Sequence, residues 1–378
     1  MTQKRILIVS SPDDVHARAV AHVIRAKGHI CEEFYCVDYP TLATITLRAS
    51  NKIANPQSEV RYKDASLNAV NVDDKFDTIW LRRRQMPELP QTMHPGDREV
   101  ASRQCDRCLS DLIAGLDRPD VFWVNPLECD NTSSLKMYQL RHAERAGLSI
   151  PDTLVSNDPD EIREFIVRCG GSAIHKLLQN AVWKSKDNEK TYGCYTTPLT
   201  LDDLPKDAIL RLSPGIFQPL LKKLFEVRVA CFGEYLMALQ IDSQTDERAR
   251  IDWRAGQRFI DMKPYVLPEA IAQGIHRFLR STKFTFAALD FIVTPSGEHV
   301  FLEANPNGQF LWMEDRTEMP VLDVFSEYLI AAHTDFHPQS DKSPFTWLQF
   351  REVWNGGLKD ESRKHVSAVS PMSVPDYI

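Results

Sequence analysis

The sequence predicts a mixed α/β protein of two or three domains. The chain has 378 residues, and a typical domain holds about 100–200 residues. Its N-terminus has the pattern strand, helix, strand, which favours a small parallel α/β unit. Its C-terminal half contains β-rich runs separated by turn residues, which predict antiparallel hairpins.

Composition and charge favour a soluble protein without a nucleic-acid or membrane partner. Hydrophobic residues make up 43% and charged residues 26% of the chain, as in ordinary globular proteins. The net charge of −7 does not suit nucleic acid, which usually pairs with a basic domain. No run approaches the ~18 apolar residues of a membrane helix, and the first apolar stretch, ILIV, is too short for a signal peptide. The eight scattered cysteines are therefore expected to be reduced thiols in a cytoplasm.

The first predicted domain, residues 1–126, is the parallel α/β unit. Its apolar runs predict four strands, and a helix lies between the first two, where Gly28 suits a helix C-cap. The predicted strands are residues 4–10, 29–35, 76–81 and 122–125.

Residues 127–216 form the predicted central domain. Gly147 ends a first helix and Gly170 follows a second one. The predicted helices are 135–146 and 159–169, the strands are 173–178 and 209–212, and a polar, lysine-rich stretch lies at 183–193.

Residues 217–335 form the third predicted domain, and 336–378 are expected to be an appended, partly ordered tail. The tail shows weak periodicity and contains several serines and prolines. The elements predicted for the domain are strands at 224–230 and 235–241, a helix at 268–282, a hairpin at 286–305 and a closing helix at 321–333.

The hairpin at 286–305 carries the strongest chemical signal. A turn centred on residues 296–297 would place Asp290 directly opposite Glu303, with Asn305 on the same face. Directly opposed like charges destabilise a sheet, so the pattern favours a bound hard cation, and oxygen ligands suit Mg²⁺ or Mn²⁺. The alternative is a hairpin whose acidic residues only face solvent. The face of the hairpin opposite Asp290 is expected to be a core face. It consists of Leu289, Phe291, Val293, Val300, Leu302 and Ala304.

Two lysines form a second candidate site. Lys136 lies in the first turn of its predicted helix, and Lys176 interrupts an apolar strand. A lysine in a buried strand needs a compensating partner, and a phosphate group would be one. The alternatives are an ordinary surface lysine at Lys136 and an amphipathic edge strand around Lys176.

Two arginines complete the candidate residues. Arg228 alternates with apolar residues and shares a strand face with Glu226, and arginine is suited to clamping phosphate oxygens. Asp252 and Arg254 share one face if their segment is extended. The alternatives are a cross-strand ion pair for Arg228 and a surface pair for Asp252 and Arg254.

The order of these residues resembles that of the ATP-grasp superfamily: a helix Lys, a strand Lys, a linker Gln, a strand Arg, then Asp and Glu-x-Asn. At a finer level the chain is similar to the peptide-modifying branch, the graspetide (microviridin-type) peptide ligases, which are related to ribosomal-protein glutamate ligases. The resemblance spans about residues 1–333. The local matches are TIWLRRRQMPE (78–88), ERAGLSIPDTLVSNDP (144–159), LFEVRVACFGEYLMALQIDSQ (224–244), IDWR (251–254) and LDFIVTPSGEHVFLEANPNGQFLWME (289–314).

The resemblance implies an ATP-grasp fold, in which the nucleotide lies between two α+β subdomains preceded by a parallel α/β pre-ATP-grasp domain. It implies that Lys136 and Lys176 bind ATP phosphates, and that Gln218 and Leu220 contact adenine at the hinge. Arg228 would stabilise the phosphoryl and acyl-phosphate oxygens.

The same resemblance implies roles for the remaining residues. Asp290, Glu303 and Asn305 would hold two Mg²⁺ ions, for which Mn²⁺ could substitute. Asp252 and Arg254 would face the substrate carboxylate. The lid loop at 183–193 has a single glycine, so its phosphate contacts are not assigned, and neither is a role for the tail.

The implied activity is that of an ADP-forming ligase acting through an acyl phosphate. Its substrate would be a ribosomal precursor peptide with a leader and a core, whose Asp or Glu side chains are joined to Lys, Ser or Thr. A homodimer is left open, as are amide and ester products. The alternatives are a ligase that adds free amino acids to a protein or small peptide, a non-catalytic nucleotide-binding protein, and a hairpin protein that binds no nucleotide.

Overall fold

The computed structural model describes residues 2–366, with gaps at 53–57, 65–66, 68–69, 72, 130, 180–181, 185–190, 194–195 and 340–343. For residues 182–184 and 191–193 it describes the backbone. Within this part of the chain, no helix is both long and apolar enough to cross a bilayer.

Short strands and helices follow one another along the described chain. The strands are β1 (Arg5–Ser10), β2 (Ile30–Tyr35), β3 (Ala43–Thr46), β4 (Glu59–Tyr62), β5 (Val70–Asn71), β6 (Thr78–Leu81), β7 (Phe122–Val124), β8 (Leu154–Ser156), β9 (Ser172–Lys176), β10 (Val182–Lys184), β11 (Thr191–Gly193), β12 (Thr197–Thr200), β13 (Gly215–Pro219), β14 (Phe225–Phe232), β15 (Tyr235–Ile241), β16 (Met262–Tyr265), β17 (Phe286–Val293) and β18 (His299–Asn305). The helices are α1 (Val15–Ala26), α2 (Pro95–Gly115), α3 (Lys136–Arg145), α4 (Pro159–Arg168), α5 (Asp207–Leu210), α6 (Trp253–Gly256), α7 (Glu269–Thr282), α8 (Trp312–Thr317), α9 (Val321–Ala331), α10 (Trp347–Val353) and α11 (Lys359–Ser362).

The N-terminal sheet contains four parallel strands in the order β2–β1–β6–β7. The last five residues of β1 are buried, as expected for a strand covered on both faces. Asp14 caps α1, because its side chain accepts the N–H groups of His16 and Ala17. The predicted parallel α/β unit is therefore confirmed.

Two antiparallel sheets follow, in the orders β12–β9–β13–β8 and β16–β15–β14–β17–β18. In the first of these, β13 pairs with β9, with Ile216 opposite Lys176 and Gln218 opposite Ile174. Strand β13 therefore spans the predicted boundary between residues 216 and 217. The domain limits themselves stay a prediction.

The five-stranded sheet has a hydrophobic core against each face. On one face, α1 and α9 share a core with this sheet and with the N-terminal sheet. On the other face, α3 and α7 pack in a second core, and the buried residues of α7 recur at the three- and four-residue spacing of an amphipathic helix. The shared core fixes the N-terminal sheet beside hairpin β17–β18. Its largest fully buried side chains are Trp80, Phe232, Phe286, Phe310, Phe325 and Tyr328.

The strand predicted at 209–212 is wrong. These residues lie in the short helix α5 and the turn after it. Ile209 and Leu212 are 55% and 82% exposed, and only Leu210 packs against the neighbouring hydrophobic cluster. The four residues Ile-Leu-Arg-Leu, three of them apolar, have no length or period that separates strand from helix.

Part of the predicted tail is ordered: residues 344–366 include α10 and α11 and pack on α1 and on the segment after β2. Thr346 and Gln349 form a capping box at the start of α10, and Phe350 is buried against the shared core. The Asp38 carboxylate accepts the Val366 N–H (2.8 Å) and lies 2.7 Å from Nδ1 of His365. Residues 367–378 lie outside the described part of the chain.

Candidate active site

Two irregularities of hairpin β17–β18 place Asp290 opposite Glu303. In the turn, the Thr294 N–H donates to the Glu298 carbonyl and the Gly297 N–H to the Thr294 carbonyl, each at 2.9 Å. Gly297 has a φ of +83°, a conformation that this hairpin loop requires and that glycine adopts without strain. The turn pairs Val293 with His299, and continuing that register would place Leu302 opposite Asp290.

A β-bulge at Leu302 moves the register by one residue between Asp290 and Phe291. Asp290 consequently pairs with Glu303. The predicted pairing is confirmed, but it results from two offsets that cancel, one in the turn and one at the bulge.

The bulge also changes which side chains face the core. Leu289, Phe291, Val293 and Ala304 belong to the core shared with α3 and α7, as predicted. Phe301 joins them, whereas Val300 is buried outside that cluster and Leu302 lines the cleft. The predicted core position of Leu302 is wrong, and Val300 is buried but outside the cluster of Leu289, because strict alternation does not continue through a bulge.

Asp290 and Glu303 are each held by one cation. Arg228 lies opposite Asp290 on the neighbouring strand β14, and its Nη1 donates to both carboxylate oxygens at 2.8 and 2.7 Å. Lys136 is the first residue of α3, and its Nζ lies 2.5 Å from Oε2 of Glu303. Asn305 ends β18 and accepts the Asn307 N–H at 3.0 Å. The repulsion that the opposed carboxylates would otherwise suffer is thus offset within the protein.

The pKa values of the two carboxyl groups shift in opposite directions. Burial raises the pKa of Asp290; Arg228 opposes this shift and Glu303 adds to it, so the pKa stays above its ordinary value. Burial also raises the pKa of Glu303, but the charges of Lys136 and Lys176 outweigh burial and hold the pKa below its ordinary value. Glu303 is therefore the more readily ionised of the two.

Lys176 is the last residue of β9 and lines the cleft. It is half-buried, and among the described residues it forms no ion pair. Burial lowers its pKa, although the charges of Glu303 and Asp252 raise it. An anion in the cleft would offset the cost of burying this ammonium group.

Gln218 lies on β13, beside β9, and is 4% exposed. Its Nε2 donates to Oγ1 of Thr153 at 3.0 Å. Its buried Oε1 has no hydrogen-bond partner among the described residues, which leaves one acceptor for a bound ligand. Leu220 follows β13 and also lines the cleft.

Asp252 and Arg254 contact each other at the start of α6. Asp252 caps the helix by accepting the Arg254 N–H, and its two oxygens accept from Nε and Nη2 of Arg254 at 2.8 and 2.5 Å. The segment is therefore a helix start and not extended, and the two side chains meet through this cap contact. Burial raises the pKa of Asp252, but the guanidinium outweighs burial and the pKa is lowered. The carboxylate fixes the direction in which Arg254 points.

All of the site residues predicted from sequence line one cleft of about 1140 Å³. The described residues that line it include eight Lys and Arg side chains and six Asp and Glu side chains, whereas the whole chain has a net charge of −7. The cleft is therefore positive within an acidic protein and suits anionic ligands. The predicted residues that meet there are Lys136, Lys176, Gln218, Leu220, Arg228, Asp252, Arg254, Asp290, Glu303 and Asn305.

Solved structures share the fold over most of the chain. No protein-family model and no curated protein sequence matches the chain. The macrocyclase MdnC of Microcystis aeruginosa MRC, bound with precursor peptide MdnA, is 25% identical, with 86% of this chain and 99% of that chain covered and a TM-score of 0.75. The RiPP-associated ATP-grasp ligase of Chryseobacterium gregarium, in complex with ADP and a leader and core peptide, is 23% identical, with coverages of 90% and 99% and a TM-score of 0.78. The ATP-grasp ligase PsnB, complexed with a variant of its minimal precursor, Mg and ADP, is 21% identical, with coverages of 87% and 99% and a TM-score of 0.66.

The chain has an ATP-grasp fold. The predicted fold class and the resemblance to peptide-modifying ATP-grasp ligases are both confirmed. The roles predicted for individual residues stay predictions.

The side chains of the ATP-grasp cleft fit a hard cation. Asp290, Glu303 and Asn305 offer carboxylate and amide oxygens at one end of it, the ligand type that Mg²⁺ prefers. In the part of the chain that the structure describes, no group of three or more His, Cys, Asp or Glu side chains is placed to hold a metal. The candidate metal site therefore depends on the amide of Asn305 as well as on the two carboxylates.

Most of the predicted lid, residues 183–193, lies outside the described part of the ATP-grasp fold. The backbone of β10 and β11 forms an antiparallel pair, with Trp183 opposite Tyr192. The phosphate contacts of the lid stay unassigned.

Sequence analysis missed the residues that hold the loop after Asn305. Arg82 is fully buried, and its Nη1 donates to the carbonyl oxygens of Asn307 and Gly308. Nδ2 of Asn125 donates to the Pro306 carbonyl at 3.0 Å. A Cβ atom at position 308 would lie 2.5 Å from Cβ of Ala288, so glycine is required there. The available signal was a run of three arginines directly after the apolar strand β6.

His16 accepts backbone N–H groups from the same region, at positions 310 and 311, each at 3.3 Å from its Nε2. Burial lowers the pKa of His16 to about 3; the charge of Arg82 adds to this shift, and Asp14 only partly opposes it. A histidine in the unfolded chain has a pKa of about 6.5. Between pH 6.5 and the folded pKa of about 3, the imidazole is therefore protonated in the unfolded chain and neutral in the folded chain. The free energy of unfolding should therefore fall as the pH drops below about 6.5.

We expect this loss to reach up to about 1.4 kcal/mol per pH unit, because protonation removes the acceptor that the two N–H groups need. Urea unfolding of the wild-type chain and of His16→Gln between pH 7 and pH 5 measures it. The glutamine variant keeps an acceptor and does not titrate, so its stability should depend less on pH. Equal pH dependence in the two proteins would contradict the role of His16.

Proposed function

We propose that the chain is an ATP-dependent ligase that joins Asp or Glu side chains of a ribosomal precursor peptide to Lys, Ser or Thr side chains, through an acyl phosphate. One observation carries the proposal. Two carboxylates and an amide of a single hairpin share a positive cleft with Lys136, Arg228 and Arg254, which come from three other elements of an ATP-grasp fold. MdnC was solved with a precursor peptide, and the Chryseobacterium ligase with ADP and a leader and core peptide.

A carboxylate needs activation because oxide is too poor a leaving group. In the proposed first step, an oxygen of the substrate carboxylate attacks the γ-phosphorus of ATP, and ADP leaves. In the second step, the amine or hydroxyl attacks the acyl carbon, loses its proton, and phosphate leaves. Both steps depend mainly on positioning and on neutralising charge, so the chain needs no nucleophilic side chain of its own.

The cationic side chains have distinct roles in this proposal. Lys136 and Lys176 neutralise the phosphates, and the lowered pKa of Lys176 means that an anionic partner is needed to stabilise its charge. Arg228 binds the oxygens of the phosphoryl group in transfer. Arg254, aimed by Asp252, orients the substrate carboxylate.

Asp290, Glu303 and Asn305 would hold two Mg²⁺ ions, and Mn²⁺ could replace them. The ions would supply charge neutralisation between the phosphates when bound. Arg228 and Lys136 now hold the two carboxylates, so these cations would turn towards phosphate oxygens in the loaded site. Gln218 and Leu220 would contact adenine, for which Oε1 of Gln218 offers a buried acceptor.

Mass spectrometry tests the reaction. We expect that incubation of the full chain with Mg²⁺, ATP and a short acidic peptide encoded beside its gene lowers the peptide mass by one water per cross-link, with one ADP released each time. A mass gain by an amino-acid residue would instead assign the alternative, addition of free amino acids. Nucleotide binding without ADP release for any such peptide would assign a non-catalytic protein. Omission of Mg²⁺ is the control and should stop both ADP release and the mass change.

A further inference from the structure

Two arginines of the N-terminal domain line the cleft and have no role in the proposed mechanism. Arg83 and Arg84 follow β6, and their side chains are 37% and 29% exposed. They lie on the wall contributed by the N-terminal sheet, whereas Lys136, Lys176 and Arg228 lie on α3 and the antiparallel sheets. We refer to Arg83 and Arg84 as the arginine pair.

Each member of the arginine pair is anchored through one nitrogen. Nε of Arg83 lies 3.0 Å from Oδ2 of Asp14. Nη2 of Arg84 donates to Oδ1 of Asp106 and Oγ of Ser110 at 2.6 and 2.8 Å. Among the described residues, neither arginine forms an ion pair with a second acidic side chain. Each guanidinium group is fixed in position by one acidic side chain. A guanidinium group can also donate two N–H groups to the two oxygens of a ligand carboxylate.

The charge on this wall is also incompletely balanced. Asp14 lies beside Arg83 and beside Nε of the fully buried Arg82, at 3.0 and 3.2 Å. One carboxylate therefore faces two guanidinium groups, and the excess positive charge is carried by Arg83, the exposed one of the two. A ligand carboxylate would balance it.

The wall also offers an unused acceptor. Gln85 lines the cleft next to the arginine pair, and its buried Oε1 has no hydrogen-bond partner among the described residues. A ligand with both a carboxylate and an N–H group, such as a peptide, supplies what the arginine pair and Gln85 lack.

The cleft has room for such a ligand beside a nucleotide. Its volume of about 1140 Å³ exceeds the ~300–1,000 Å³ typical of a site for one small molecule. A second ligand on the N-terminal wall can therefore share the cleft with ATP.

We propose that the arginine pair forms a second carboxylate subsite, which binds an acidic side chain of the peptide while a different acidic side chain is activated. This inference rests on the proposed function and sharpens it: the preferred substrate segment carries at least two acidic residues. The first carboxylate lies at Arg254 and is consumed, and the second stays ionised at Arg83 and Arg84 and holds the peptide in place.

A binding experiment tests the subsite without requiring turnover. The probes are acetylated alanine-based hexapeptide amides with two Glu residues separated by one to three positions, and the same peptides with one Glu changed to Gln. The protein is the full chain saturated with Mg²⁺ and AMPPNP, and titration calorimetry measures affinity. The wild-type chain should bind the best diacid peptide at least about tenfold more tightly than its monoacid form.

Arg83→Gln should lower diacid affinity to the monoacid level and leave monoacid affinity unchanged. Arg84→Gln should lower diacid affinity by a smaller factor. Arg83→Lys keeps the charge but cannot bind a carboxylate through two N–H groups, so its diacid affinity should lie between those of wild type and Arg83→Gln. The matched control is Arg103→Gln, which removes one charge from an exposed position of α2 outside the cleft and should bind every peptide as wild type does. Thermal unfolding of each variant verifies that it is folded.

The inference would be overturned by equal binding of diacid and monoacid peptides to the wild-type chain. It would also be overturned if Arg83→Gln weakened both peptides equally, or if that variant weakened AMPPNP binding, which would place Arg83 at the nucleotide. The proposed function has a separate readout in this experiment. Failure of the wild-type chain to bind Mg²⁺-AMPPNP would contradict the proposed function, whereas the diacid preference can be measured with or without nucleotide.

Discussion

Replacing Asp290 with Asn or Glu303 with Gln should lower peptide-dependent ADP release by at least about 10³-fold, because charge stabilisation by bound metal contributes several kcal/mol to such reactions. Each substitution keeps the size of the side chain and removes one anionic oxygen donor from the proposed metal site. The rate of ADP release, measured across a Mg²⁺ titration, gives the effect.

The matched control is Glu298→Gln, which removes an exposed carboxylate at the tip of the same hairpin and should leave the rate unchanged. Both site carboxylates also pair with protein cations, so thermal unfolding must show that the variants are folded. Wild-type turnover in folded Asp290→Asn and Glu303→Gln variants would disprove the assignment of the metal site.

Replacing Asp14 with Asn should destabilise the fold by about 3–5 kcal/mol, the usual cost of leaving a buried charge without its partner. Arg82 is fully buried and Asp14 is 5% exposed. Burial raises the pKa of Asp14, but Arg82 and Arg83 outweigh burial and hold the pKa at about 2. Asparagine still caps α1, so the substitution isolates the loss of charge. The midpoint of guanidinium unfolding measures the change.

Asp13→Asn changes the exposed neighbouring residue and should shift stability by no more than about 0.5 kcal/mol. Combining Asp14→Ala with Arg82→Met removes the buried charge together with its partner and should recover part of the loss. An unchanged midpoint in Asp14→Asn would show that the Asp14–Arg82 contact contributes nothing to stability.

Much of the site could be predicted from sequence because its signals are local. Glu303 and Asn305 are two residues apart on one strand and therefore share a face. Lys136 at a helix start and Arg228 between apolar strand residues are equally local patterns. The tail also contains a helical pattern, because Trp347, Phe350 and Trp354 have the spacing of one helix face.

Other features could not be read in this way. The Asp290–Glu303 pairing was predicted correctly without the bulge at Leu302 that produces it, because an extra residue in a strand leaves no reliable mark in the sequence. Arg82 was seen only as part of a run of arginines. Its partners, Asp14 and the carbonyl of Gly308, lie 68 and 226 residues away along the chain.

The sequence by itself determined which side chains meet in the cleft and the fold that carries them: oxygen-bearing side chains on one hairpin, cations on other elements, and the order that marks an ATP-grasp fold. Side-chain alternation, capping and turn preference act over a few residues, and a single sequence displays them. Only the tertiary structure decided the register of the hairpin, the use of the N-terminal arginines and the packing of residues 344–366. These features depend on which distant surfaces meet when the core is buried, and no short-range pattern records that choice.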